Sequence, residues 1–311
     1  MFAVTSDPFV GTTDLSAVIS ETWTTIVNEK TFDDAVLSNF ITDLSDFATE
    51  GSDVLHVPDA YTNAFTVIAQ STQGAEITTA GPATVDTTLS MSIHNYIAWI
   101  IGDKDLVQIA SKYKINEVYA RQAKGLLVEA LETSIAGLWS TLTTNTVGDT
   151  ATVLSDAEIR QALNLMESGK YHLNECAFFF HPYVYWNQLH AVVKYYSQYS
   201  AGPSNVAGPV RTGNFGVAGY AQNYKGVLYG VPVYTTTVIV NALLTYRNFL
   251  IHERAFGFAV QTKGSGMVRV QMENAIRNLG MLAVVDIVYG VAALRQQAGV
   301  LLNASNAFIG S

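Results

Sequence analysis

NEVYARQAKGLLVEALETSIAGLWSTL, residues 116–142, repeats apolar side chains at the spacing of one helix face: Tyr119, Ala123, Leu126, Leu127, Ala130, Leu131, Ile135, Leu138 and Leu142. That spacing predicts one amphipathic helix of roughly 40 Å, at ~1.5 Å per residue. Asn116 is placed to cap it, and Glu117 stands in the first turn, where the helix dipole favours an anion. A helix of that length crosses a whole domain, so it has to act as a spine on which other segments lie. Gly125 and Gly137 are expected to admit close backbone approach along it.

The remainder of the chain is poor in charge. Of 311 residues, 14% are charged, against about 25% in an ordinary soluble domain. A folded monomer needs a charged skin, so something else is expected to cover much of this surface. A membrane is a poor candidate: the uncharged run 226–246 holds Pro232, four threonines and Asn241, and reads as strands joined by a turn. No basic start followed by an apolar core marks a secretory leader, so secretion is not expected. Cys176 stands alone, which excludes an internal disulfide and fits a reducing compartment. The cover is therefore expected to be protein, meaning other copies of the same chain. Charge is also unevenly placed. Up to Asp53, ten carboxylates face one lysine, a net of −9, while residues 54–311 carry sixteen acids and sixteen bases. No basic stripe offers itself to nucleic acid.

Taken in order, residues 1–13 read as an extended lead and residues 14–27 as a short amphipathic helix, followed by apolar residues interleaved with acids to Phe47. Residues 51–101 change to strand composition around a tract, 69–88, rich in Thr, Gly and Ala. Such a two-stranded ribbon is only marginally stable alone and is expected to lie on a neighbour. A short helix over 103–111 leads into the spine. Beyond it, Ser155 and Glu158 form a capping box, and Gly169 ends that helix as its C′ residue. Residues 177–180 read as a buried strand, and Pro182 opens a helix through Leu189 and Val193. Residues 199–226, with six glycines and two prolines, read as a long exposed loop. Strands are expected over 227–240, 249–260, 267–272, 281–294 and 300–302, with a helical turn at 254–258.

No catalytic constellation emerges. The six histidines form no i,i+4 pair and adjoin no second thiolate, so no metal site is expected. Cys176 precedes a buried strand and reads as a small core hydrophobe, not a nucleophile served by His181. The glycines of GSG at 264–266 lack a third at 269, where Arg269 stands, and make a turn. No cofactor is expected.

The order of parts carries more. ETWTTIVNEKTF (21–32), GSDVLHVP (51–58), DKDLVQ (103–108), LYGVPVYTTT (228–237), RNFLIHERAFGFAVQ (247–261) and VVDIVYGVAALRQQAGVLLNAS (284–305) together resemble the major capsid proteins of tailed bacteriophages. The resemblance covers nearly the whole chain and implies an α+β Hong Kong 97-type capsid fold. It divides the chain into an N-arm (1–50), an E-loop (51–102), a P domain with the spine helix (103–152), an A domain (153–248), return strands of the P domain (249–292) and a closing A-domain strand with the C-terminus (293–311). The implied activity is assembly into the icosahedral shell of a virion enclosing double-stranded DNA without gripping it, with no enzyme chemistry and no membrane. Phe65, Val67, Ile77 and Leu89 of the E-loop are the residues expected to contact the adjacent subunit. The implied partners are further copies in hexamers and pentamers, a portal protein, a separate scaffolding protein and decoration proteins. No motif supports a Lys to Asn crosslink. An encapsulin-type compartment shares the fold and stays open as an alternative, with a soluble oligomeric enzyme more distant.

The charge distribution yields a first prediction. Counterion release offers a neutral body and an acidic arm little affinity for phosphate. Filter binding of the free chain to duplex DNA should stay near background at physiological salt, and tight, steeply salt-dependent binding would contradict the reading.

Overall fold

The spine forms over Ile115–Ala136 and then tightens into a 3-10 turn over Gly137–Thr141. Asn116 consequently lies inside the first turn and not at the cap. The tighter ending lets Leu142 N–H reach the Trp139 carbonyl at 3.1 Å, an i→i+3 bond that serves a terminal orphan. Ala123, Leu127, Leu131 and Ile135 are buried along the spine, while Tyr119 and Leu126 flank the stripe and stay exposed. A Cβ on Gly137 would meet nothing within 4 Å, so that glycine does not mark a close approach.

The computed structural model describes residues 35–48, 53–59, 85–102, 115–189, 223–239, 241–242, 245–261, 268–275 and 280–306. In chain order these form α1 (Leu37–Phe40), β1 (Thr42–Asp43), β2 (Val54–Asp59), β3 (Val85–Ser90), β4 (Ile93–Gly102), α2 (the spine), β5 (Thr146–Val147), α3 (Asp156–Ser168), β6 (Cys176–Phe180) and α4 (Pro182–Val184). There follow β7 (Tyr224–Leu228), β8 (Val231–Thr235), β9 (Asn241–Ala242), β10 (Thr245–His252), β11 (Phe256–Gln261), β12 (Arg269–Ala275), β13 (Gly280–Ala293) and β14 (Gly299–Ser305). The lead and first helix expected before residue 35, the helix at 103–111 and the loop over 199–222 lie outside the described residues.

β13 gives one edge to β4 and the other to β11 and β12 in turn, and β1 extends the sheet beside β11. The spine packs on this five-stranded sheet. Tyr289 fastens the two: its hydroxyl lies 2.8 Å from Ser134 Oγ on α2 and 3.2 Å from Asn95 Nδ2 on β4. The second sheet runs β5-β14-β10-β6-β8-β7, with β9 beside β10. Its middle strand, β6, is apolar throughout and buried throughout, as a strand covered on both faces must be. Phe179 stacks there on Tyr234 and meets Phe249. A continuous apolar core runs through both sheets and the spine.

Several expected boundaries move. Ile93–Gly102, read within the E-loop, is a full partner of β13. Phe249 to His252, read as P-domain return, pairs with β14 and β6 in the seven-stranded sheet, so the crossing to the other sheet falls at the turn 253–255. No helical turn follows, because β11 begins at Phe256. Tyr224 to Gly226, read as loop, belong to β7. The helix after Pro182 widens to a π-turn at Tyr185–Leu189.

The α3 capping box is present, with Ser155 N–H donating to Glu158 Oε2 at 2.6 Å. Its far end differs from expectation. Gly169 is the C-cap, at φ −74°, and Lys170 takes the left-handed position at φ 64°. Lys170 N–H reaches the Glu167 carbonyl and Tyr171 N–H the Met166 carbonyl, the paired bonds of a Schellman ending. Glycine at 169 also leaves room for the Tyr171 ring, which a Cβ there would approach to 3.0 Å. A lysine at positive φ carries a Cβ penalty that glycine lacks. Lys170→Gly should therefore raise unfolding free energy by about 1 kcal/mol in a denaturant titration.

Candidate assembly surface

Two described segments meet the margins of the five-stranded sheet. The first is the N-terminal arm. Val36 occupies the N-cap of α1 and offers no side-chain acceptor. Glu132, nearly a hundred residues on, supplies it: Oε2 accepts Leu37 N–H at 2.8 Å and Oε1 accepts Ser38 N–H at 2.9 Å. The carboxylate is 2% exposed. Burial pushes Glu132 above the usual carboxylate range, against the opposing hydrogen bonds from the Ser38 side chain and from the Ser38, Leu37 and Val36 backbone. Below the clamp, Val36, Leu37, Phe40 and Ile41 are buried in the main core. The chain then runs along β11, where Leu44 N–H donates to the Phe258 carbonyl at 2.8 Å and Val260 N–H to Ser45 Oγ at 3.0 Å.

The second is the ribbon of β2 and β3. Its strands pair from Val54↔Ser90 to Asp59↔Val85, and among the described residues they join neither larger sheet. Among the described residues its buried anchor lies at its root. Leu89 and Met91 pack with Ala48 and Ala259 in a small separate cluster, and Met91 N–H donates to the Asp53 carbonyl at 2.9 Å. Gly290 of β13 admits this root, since a Cβ there would collide with the Ser90 carbonyl and touch Leu89. Of the four expected contact residues, Phe65, Val67 and Ile77 lie outside the described residues. Leu89 is 0% exposed within its own chain. Alternation along β3 turns it inward where the ribbon meets β13, so it holds the root and is not available to a neighbour.

The chemistry around these roots is structural. A shallow cleft beside the ribbon is lined by Val57, Pro58 and Thr87 of the ribbon, Thr42 and Leu44 of the arm, and Arg254, Leu294 and Arg295, with no carboxylate or imidazole among them. Asp286 on β13 accepts Arg269 Nε at 2.9 Å and Nη2 at 2.5 Å, and lies 3.1 Å from His94 Nε2. The Arg269 guanidinium holds its carboxyl below the usual range. His252, lowered by burial, faces Glu175 at 2.9 Å. Cys176 is buried, with Sγ directed at the His172 carbonyl at 3.3 Å, and His181 accepts Tyr183 N–H. Among the described residues no cluster of His, Cys, Asp or Glu is placed to hold a metal, and no helix is long and apolar enough to cross a membrane. Glu132 escaped the sequence reading. Its only local sign is a charge at the margin of the apolar stripe, which is also where solvated residues sit.

No family model and no curated protein matches the sequence. Solved structures do match. A structure described as Mycobacterium phage Che8 has a TM-score of 0.64 at 17% identity, covering 92% of this chain and 97% of its own. The capsid structure of the Cyanophage P-SCSP1u has 0.67 at 12%, covering 94% and 95%. The asymmetric unit of the bacteriophage PhiM1 mature capsid has 0.67 at 12%, covering 93% of each. The chain has the phage-capsid, Hong Kong 97-type fold.

The clamp generates a prediction. Glu132→Ala leaves two buried N–H groups without an acceptor and should lower stability by about 2–4 kcal/mol in denaturant titration, and Glu132→Gln, which keeps one acceptor, by about 1–2. Because the folded-state pKa lies above the reference 4.5, the native state holds this proton more tightly than the unfolded chain. The stability difference between wild type and Glu132→Gln should therefore shrink as pH rises above 4.5. A difference that grows with pH would mean the hydrogen bonds outweigh burial.

Proposed function

We propose that this chain is the major capsid protein of a tailed double-stranded DNA bacteriophage, a shell tile and not an enzyme, resident in the virion head. The observation that carries the reading is the fold shared with the cyanophage and PhiM1 capsid chains, over more than nine-tenths of this chain and of each of them. The composition supports it independently: a charge content of 14% leaves too little charge for a free monomer's skin. The ribbon supports it too, since a two-stranded element that joins neither larger sheet among the described residues needs a further surface to lie on.

In this reading α2 with the β4, β11, β12 and β13 sheet is the P domain, the seven-stranded sheet is the A domain, and residues 1–50 form the arm, whose β1 lies along β11. Hexamers and pentamers of the chain close the shell, with a portal protein at one vertex, a separate scaffolding protein during assembly and decoration proteins outside. Residues 60–84, between the ribbon strands, reach the adjacent subunit through Phe65, Val67 and Ile77.

Electron microscopy and light scattering of the purified chain test the assembly. Closed particles are expected, and a monomer at every concentration and salt would sink the proposal. Replacing residues 60–84 by a short Gly-Ser turn should leave the circular dichroism and melting temperature of the subunit nearly unchanged while abolishing particles. Particles that still close would make the ribbon tip dispensable; a chain that no longer folds would make it part of the core.

A further inference from the structure

Among the described residues β12 is a sheet edge, pairing only with β13, in an unbroken register from Arg269↔Asp286 to Ala275↔Gly280. Residues 270–274 are all exposed. Strand alternation puts Arg269, Gln271 and Glu273 on one face and Val270 and Met272 on the other. Val270 and Met272 leave 48% and 52% of their surfaces in solvent. Folded proteins usually blunt such an edge with proline, lysine or a bulge, because its unpaired N–H and C=O groups recruit another strand. This edge carries none of the three.

The strand is complementary to itself. Laid antiparallel on a second β12 about a two-fold axis at Gln271, Arg269 faces Glu273 and Val270 faces Met272, each pair occurring twice. Moving the axis to Val270 puts Arg269 opposite Gln271, and moving it to Met272 puts Arg269 opposite Ala275; either shift loses both opposite-charge pairs. Arg269 remains able to serve, because Asp286 engages Nε and Nη2 and leaves Nη1 its donors. Cross-strand pairs of opposite charge and paired apolar side chains both favour one register.

We propose that two copies of this chain associate through β12, antiparallel about a two-fold axis at Gln271, so that two five-stranded sheets join edge to edge. The contact is isologous, each copy giving and receiving the same residues. Its placement at a two-fold position between neighbouring rings rests on the capsid reading; the pairing itself does not.

Gln271→Cys in the full-length chain tests it. On the axis, opposed Cα atoms stand about 4.5–5.5 Å apart, within disulfide reach, whereas residue 270 opposes 272. After mild oxidation of the assembled protein, Q271C should shift from monomer to dimer mass on a non-reducing gel. Val270→Cys should remain monomeric, and a mixture of Val270→Cys and Met272→Cys chains should crosslink. Adding Glu273→Arg, which sets like charges opposite Arg269, should abolish the Q271C crosslink. Q271C that stays monomeric within normally formed particles overturns the pairing and leaves the capsid reading intact. Crosslinking of V270C as readily as Q271C also overturns it. Crosslinked dimers that never close into particles would support the pairing and count against the capsid reading.

Discussion

A strand cannot satisfy its own backbone, and β13 meets that constraint by drawing three others to it. Its fourteen residues need partners along both edges. β4 lies along one, and β11 and β12 share the other. Because β11 leads back to β10 and so to the seven-stranded sheet, and β4 leads forward to the spine, both sheets take their positions from this strand. Tyr289 fixes the depth of the spine on it through Ser134 and Asn95. Gly290, one residue on, leaves the gap through which the ribbon root crosses.

The arm and the ribbon are held in opposite ways. The arm is tied by a buried carboxylate reading two backbone N–H groups, with apolar residues beneath. That contact is directional and fails sharply when an acceptor is lost. The ribbon is tied by a few apolar side chains and has no ladder to either sheet.

The exposed apolar residues fit the same division. Tyr96, Ile100, Val270 and Met272 lie on the outer strands of the five-stranded sheet and Val227 on the outer β7 of the seven-stranded sheet, which buries every residue of β6 and β14. Apolar side chains left in solvent at both flanks of the sheet that holds the spine are surface that another molecule can cover.

The spine was legible in the chain because helical periodicity is local: residues 119–135 carry it without help from any other segment. So were the capping box at Ser155 and the wholly apolar strand at β6, since both are written in adjacent residues. The order of motifs carried the fold class. What adjacency could not carry was partnership. Glu132 serves residues 37 and 38, and nothing near it in the chain says so. Leu89 looked like a residue for a neighbour until Gly290 and Ala259 closed around it. The β10 segment has the composition of either sheet, and only its hydrogen-bonded partners β6 and β14 assign it. Lys170 sits at a positive φ that its type does not announce, because the helix ends with Lys170 and Tyr171 N–H turned back onto the Glu167 and Met166 carbonyls. Local spacing determined which elements form; burial and backbone pairing between distant segments decided where each one goes.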